Sequence, residues 1–193
     1  MVFESRCSEG RADLVWACAP NGWPSNSLCE VAGVFQKPTC SRILALLKPR
    51  AIRSEEFLLA RTGVNRETLR RCIRQTEDAG LAFDLGNRRF VLGARFLIPE
   101  VEICAFEFKL RKWRRALYQA VRYRTFSHRV YVVLPPESLP QSDYLDVFRR
   151  FNVGLLSHDR YGHSTVIVRS QKQSPTSRYR LIMALGMLLR QVG

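Results

Sequence analysis

Three charged side chains stand out by type and spacing: Asp13, Glu107 and Lys109. The triplet Glu107-Phe108-Lys109 closes an apolar run, Val101-Glu102-Ile103-Cys104-Ala105-Phe106. Such a run predicts a strand, and alternate residues of a strand share a face. Glu107 and Lys109 then point the same way, with Phe106 and Phe108 on the opposite face. A carboxylate so placed binds a hard cation such as Mg2+. An ammonium two residues on orients or helps to deprotonate a water, or neutralises a phosphate as charge develops on it. One carboxylate holds magnesium poorly, so a second is needed. Asp13 is the candidate, a charged residue in the apolar run Ala12-Asp13-Leu14-Val15-Trp16-Ala17. A lone buried aspartate is costly unless it is paired or binds metal. If the two strands lie side by side, both carboxylates meet at one ion.

The elements that must position these groups can be read along the chain. Val2 to Cys7, the turn Ser8-Glu9-Gly10 and Arg11 to Ala19 predict a hairpin. Pro20 to Asn26 is dense in turn formers and predicts a loop. Cys29 to Phe35 reads as a short strand. Three helical patterns follow: Cys40 to Leu47, Ser54 to Ala60 with Ser54 as N-cap, and Asn65 to Ala79 with Asn65 as N-cap and Gly80 as its stop. Gly86-Asn87 between Leu81–Leu85 and Arg88–Leu92 is a hairpin turn signal. The second half alternates: strand Glu102–Leu110, helix Arg111–Arg124, strand His128–Leu134, a helix from Ser142 to Phe151, short strands Val153–Leu156 and Thr165–Val168, and a closing helix Ser177–Gln191. This alternation indicates α/β packing.

Helix, short helix, tight turn at Gly63, helix and hairpin is the order of a winged helix-turn-helix. In its third helix Leu69, Cys72, Ile73 and Thr76 fall at helical spacing and face inward. Arg66, Arg70 and Arg74 recur on another face beside Arg71, a stripe suited to the major groove. Arg88 and Arg89 follow the wing turn and are placed to meet DNA backbone or minor groove. The charge balance agrees, with 31 Lys and Arg against 17 Asp and Glu and a net charge of +14. That balance favours a polyanionic partner, of which nucleic acid is the commonest.

Asp13, then Glu107-Phe108-Lys109, then a helix resembles the PD-(D/E)xK nuclease superfamily. Within that helix, Gln119-Ala120-Val121-Arg122-Tyr123 resembles the Gln-x-x-x-Tyr motif of its RecB-like branch. The resemblance spans about Arg11 to Ala19 and Val101 to Leu134. It departs from the family at Ala12, where a proline is usual. It also lacks the leading helix that donates a further acidic residue, for which only Glu4 or Glu9 precede. The resemblance implies a restriction-endonuclease-like mixed sheet flanked by helices, formed by residues 1–36 and 97–193 and interrupted by the winged helix-turn-helix at 37–96. It implies DNA as substrate and Mg2+ or Mn2+ as cofactor, bound by Asp13 and Glu107. Lys109 would position water, Gln119 would assist, and Tyr123 would lie by the DNA backbone. The basic start of the helix, Arg111, Lys112, Arg114 and Arg115, would sit near that backbone as well.

The alternative reading is a catalytically inactive DNA-binding regulator on a degenerate nuclease scaffold. A weaker one is an adaptor or homodimer that docks through Leu181, Ile182, Leu185 and Leu188. The six cysteines show no metal-ligand spacing, and Cys18, Cys72 and Cys104 read as small buried hydrophobes. His128, His158 and His163 read as surface or loop residues. No membrane partner is expected, because the apolar stretch Leu181–Leu189 is too short to span a bilayer. A cytoplasmic setting follows, nucleoid-associated in a bacterial or archaeal cell.

Overall fold

A computed structural model of the chain describes residues 2–7, 10–20, 29–93, 96, 98 and 100–191, with the backbone alone for 2–7, 10 and 11. Within it the chain divides into two compact units: Met1–Asn21 with Val101–Ser177, and Gly22–Glu100 with Arg178–Gly193.

The first unit is a mixed α/β layer. Its sheet has six strands in the order β1 (Val2–Cys7), β2 (Gly10–Cys18), β6 (Glu102–Phe108), β7 (Arg129–Leu134), β8 (Gly154–His158) and β9 (Ser164–Val168). The hairpin β1–β2 and the pair β2–β6 are antiparallel, β6–β7–β8 run parallel, and β9 returns antiparallel. Helix α5 (Trp113–Tyr123) links the parallel strands β6 and β7. It packs on the sheet through Ala116 and Ala120, both fully buried, whose lack of bulk lets the helix axis come close. Ser142 does not cap the next helix as expected. Its hydroxyl bonds Asp143, and a 3-10 turn, Ser142–Tyr144, leads into α6 (Leu145–Arg150). The turn of the first hairpin, Ser8-Glu9, falls outside the described residues, as does most of the loop after Pro20 and Glu9 as a substitute acid; Glu4 is described by its backbone alone.

His128 is half-buried rather than superficial. Its Nδ1 accepts the Ile103 N–H at 3.0 Å, which ties the start of β6 to the turn before β7. Burial lowers its pKa, the Lys172 charge lowers it further, and Glu102 opposes both. The folded chain therefore holds the neutral ring, while the unfolded chain takes up a proton near pH 6.5. Stability from this group is present in full above that unfolded value and declines as pH falls through it toward the folded one. The urea midpoint should drop between about pH 7.5 and about pH 5.5, and His128→Asn should flatten that slope.

Among the described residues the second unit holds five helices and a small sheet. Helix α1 (Ala32–Phe35) replaces the strand expected at Cys29–Phe35. A short apolar run fits either element, and here Ala32 and Phe35, one turn apart, are both buried. Then come α2 (Pro38–Leu46), β3 (Arg53–Ser54), α3 (Glu55–Thr62), α4 (Arg66–Asp78), β4 (Ala82–Asp84) and β5 (Arg89–Leu92), with the sheet ordered β3–β5–β4. Ser54 caps α3 through the Phe57 N–H, and Asn65 caps α4 through the Thr68 N–H. Gly63, at φ 69°, makes the reversal between them. Leu69, Cys72, Ile73 and Thr76 form the buried stripe of α4. The C-terminal helix α7 (Arg178–Leu189) belongs to this unit and not to the sheet layer assumed for residues 97–193. Ile182 and Leu189 join Phe35, Ile43, Leu44 and Leu58 in one core. Gln36 Nε2 bonds the Gly186 carbonyl at 3.0 Å, and Arg190 reaches Gln36 Oε1 at 3.2 Å.

Candidate active site

Strands β2 and β6 are paired over Leu14↔Phe106, Val15↔Ala105, Trp16↔Cys104, Ala17↔Ile103 and Cys18↔Glu102. One further step of that register sets Asp13 across from Glu107, on the face shared by Val15, Ala105 and Ile103. The backbone ladder gives way there to a side chain, because Asp13 Oδ2 accepts the Phe108 N–H at 2.8 Å. Strand alternation thus brings together two carboxylates that are far apart in sequence.

Glu107 is buried, with 1% of its side chain exposed. A bare carboxylate there would cost several kcal/mol, and two contacts offset this. The Lys109 ammonium donates to Oε1, and the Tyr123 hydroxyl donates to Oε2 at 2.5 Å. Lys109 Nζ also lies 3.9 Å from Asp13 Oδ2. Lys109 is 30% exposed and Asp13 39%, so the cluster opens to water at these two residues and closes at Glu107. The ammonium neutralises one carboxylate and leaves the cluster with one negative charge.

Tyr123 is not a surface residue. It is 1% exposed, and its hydroxyl supports Glu107 instead of reaching a phosphate backbone. Gln119 stands one turn earlier on α5, and its Oε1 is buried with no hydrogen-bond partner. The available donors are therefore oxygens, the kind a hard cation takes. Among the described residues no group of three or more His, Cys, Asp or Glu side chains is gathered to hold a metal ion. A cation here would rest on Asp13 and Glu107, with water in most other positions, as Mg2+ commonly does.

A cavity of about 170 Å³ adjoins the cluster, lined by Phe108, Lys109, Leu110, Val133, Leu134, Pro135 and His158. It lies beyond the carboxyl ends of the three parallel strands, where open α/β sheets commonly bind ligands. His158 is exposed, in keeping with a surface reading, and as the last residue of β8 it shares this cavity with Lys109. Its Nδ1 lies 2.8 Å from Ser164 Oγ. One signal was present: His158 directly follows the run Val153–Ser157, as Lys109 and Pro135 follow theirs. The approach to α5 is basic. Arg111, Lys112, Arg114 and Arg115 are exposed, Lys112 takes the left-handed conformation at φ 63°, and no side chain caps the helix.

In the other unit the expected arginines divide into two groups. Arg66, Arg70 and Arg88 approach the buried carboxylate of Glu55 at 3.2, 3.2 and 3.7 Å. Each remains half exposed. Arg71, Arg74 and Arg89 are exposed on the same unit. Glu55 stands in the first turn of α3, where an acid suits the helix dipole, and its buried carboxylate also gathers these arginines.

No family model matches this chain, and neither a curated protein nor a solved structure matches it.

Proposed function

We propose that the chain is a metal-dependent DNA nuclease that hydrolyses phosphodiester bonds at the Asp13–Glu107–Lys109 cluster. The observation that carries this reading is the meeting of two carboxylates from separate strands at one lysine ammonium, open to water on one side. Asp13 and Glu107 would hold Mg2+ or Mn2+, which supplies charge stabilisation at the phosphate and lowers the pKa of a bound water. The roles of the chain's own groups follow from their positions. Tyr123 fixes the rotamer of Glu107 through its hydroxyl bond. Lys109, once drawn from Glu107 toward a phosphate, neutralises charge developing on its oxygens. Arg111, Lys112 and Arg115 hold the strand against the start of α5. The likeness to the PD-(D/E)xK arrangement, with Gln119 and Tyr123 on the following helix, supports the same chemistry and a restriction-endonuclease-like fold.

We assign the helical unit a winged helix-turn-helix role in duplex binding, with α4 as the recognition helix and the β4–β5 turn as the wing. Glu55 then restrains three of the contact arginines. Glu55→Gln should loosen them and remove one negative charge, tightening duplex binding about two- to fivefold at low salt. The same change should lower the unit's stability by about 1–3 kcal/mol, because a buried charged hydrogen-bond acceptor is weakened. Anisotropy titration and urea unfolding check the two signs separately.

The test of the enzymatic reading is incubation of purified protein with DNA and Mg2+, beside a chelator control and Lys109→Gln. Glutamine keeps a donor for the buried Glu107 but removes the positive charge. Cleavage that needs the metal and the lysine supports the assignment, and equal cleavage by both chains rejects the site. A second reading has one observation in its favour: the Lys109 ammonium already engages Glu107. It makes the chain a non-enzymatic DNA-binding protein on the same scaffold. That reading predicts metal-independent binding and no cleavage.

A further inference from the structure

Helices α5 and α6 enclose a groove of about 550 Å³, lined by Trp113, Arg114, Leu117, Tyr118, Val121, Tyr144, Val147 and Phe151. It lies on the flank of α5 away from Tyr123, so it is separate from the carboxylate cluster. Its size is that of a small-ligand pocket. Its walls are flat π surfaces. Trp113 and Tyr144 have ring centroids 5.3 Å apart, and the Arg114 guanidinium lies over both rings, at 4.5 and 5.0 Å. The aromatic side chains are exposed although they are large: Tyr118 70%, Phe151 44% and Tyr144 39%.

Helices α5 and α6 themselves carry Arg114, Arg115, Arg122, Arg149 and Arg150 against Asp146 alone. Arg149 pairs with that aspartate at 2.6 Å. The complementary occupant is anionic along its length and bears flat apolar groups. Duplex DNA hides its base faces in the stack, whereas an unpaired strand offers them. We propose that this groove stacks unpaired nucleobases, so that the chain's nucleic-acid substrate class includes a single-stranded segment. Every base has a π face and the groove offers few hydrogen-bonding groups, so the contact is indifferent to base identity. This inference rests on the nucleic-acid reading of the same unit and deepens it.

The experiment uses the whole chain in chelator, so that binding is read without hydrolysis. Fluorescent oligothymidylate and a blunt duplex of equal length are titrated by anisotropy against wild type, Tyr118→Ala, Phe151→Ala and Tyr118→Phe. Tyr118→Ala should weaken the single strand about tenfold or more, and Tyr118→Phe should restore it, because the ring face and not the hydroxyl is used. Duplex affinity should not move. Single-strand binding unchanged in both alanine variants overturns the proposal. So does an acidic amphipathic peptide that binds in a Tyr118-dependent way while the oligonucleotide does not, since the groove would then be a protein site. Cleavage measured separately with Mg2+ distinguishes the two failures. A chain that stacks single strands but never cuts loses only the hydrolytic assignment, and one that cuts with Tyr118→Ala binding single strands as wild type does loses only the groove.

Discussion

Asp13→Asn should lower strand cleavage by about a hundredfold or more while leaving the folded state almost unchanged. The asparagine Oδ1 still accepts the Phe108 N–H, so the end of the β2–β6 ladder survives. Asp13 is 39% exposed and 3.9 Å from the lysine, a distance and exposure at which an ion pair adds about 0–1 kcal/mol. What the substitution removes is a formal negative charge, and a divalent cation depends on that charge. Glu107→Gln is the contrasting variant. It weakens two charge-assisted bonds at a buried site, so it should cost stability, about 1–3 kcal/mol, together with activity. Paired measurement of cleavage rate and urea midpoint therefore separates function from folding. If Asp13→Asn cuts as fast as wild type, the two carboxylates do not share an ion, and the cluster is a structural salt bridge at a strand end.

Gly186→Ala should destabilise the helical unit by about 1–3 kcal/mol, although the same change in an exposed helix stabilises by about 1 kcal/mol. A methyl group at position 186 would stand 2.6 Å from Phe35 Cβ and 2.9 Å from the Ala32 carbonyl oxygen. Neither neighbour is the free end of a flexible side chain. To make room, α7 must move away from α1, and the bond from Gln36 to the Gly186 carbonyl is strained or lost. Overpacking therefore outweighs helix propensity, and the sign of the effect reverses. Gly186→Val, with more bulk and a stiff side chain, should cost about 3 kcal/mol or more. A midpoint that rises for Gly186→Ala would mean that α7 does not pack so closely.

What the sequence made legible was local and periodic. Alternation along Ala12–Ala17 and Val101–Lys109 was enough to set Asp13, Glu107 and Lys109 on shared faces, because a strand leaves each side chain only two directions. Capping at Ser54 and Asn65 was equally readable, since both bonds close within three residues. The less legible features depend on contacts between distant segments. The apolar residues of α7 announced a buried face but not which core would receive it. The strand expected at Cys29–Phe35 became a helix because Ala32 and Phe35 meet α7, a partner that periodicity does not reveal. Tyr123 was paired correctly with Gln119 on one helix face. Its burial against Glu107 follows from how closely two alanines let that helix approach the sheet. Local spacing gives Glu55 only a place in a first helical turn, whereas the arginines that converge on it come from α4 and from the turn before β5.

The assignment of Arg178–Gly193 to the unit formed by Gly22–Glu100 bears on how the polypeptide matures on the ribosome. Domains generally fold as they emerge, amino-terminal first. Here Ala32, Phe35 and their neighbours are synthesised early but meet Ile182 and Leu189 only after β9 has emerged. The nascent helical core therefore waits, with apolar surface uncovered, through the synthesis of nearly the whole sheet layer. A chain truncated before α7 would keep every strand of the sheet and leave the helical core open, the kind of surface that holding chaperones bind.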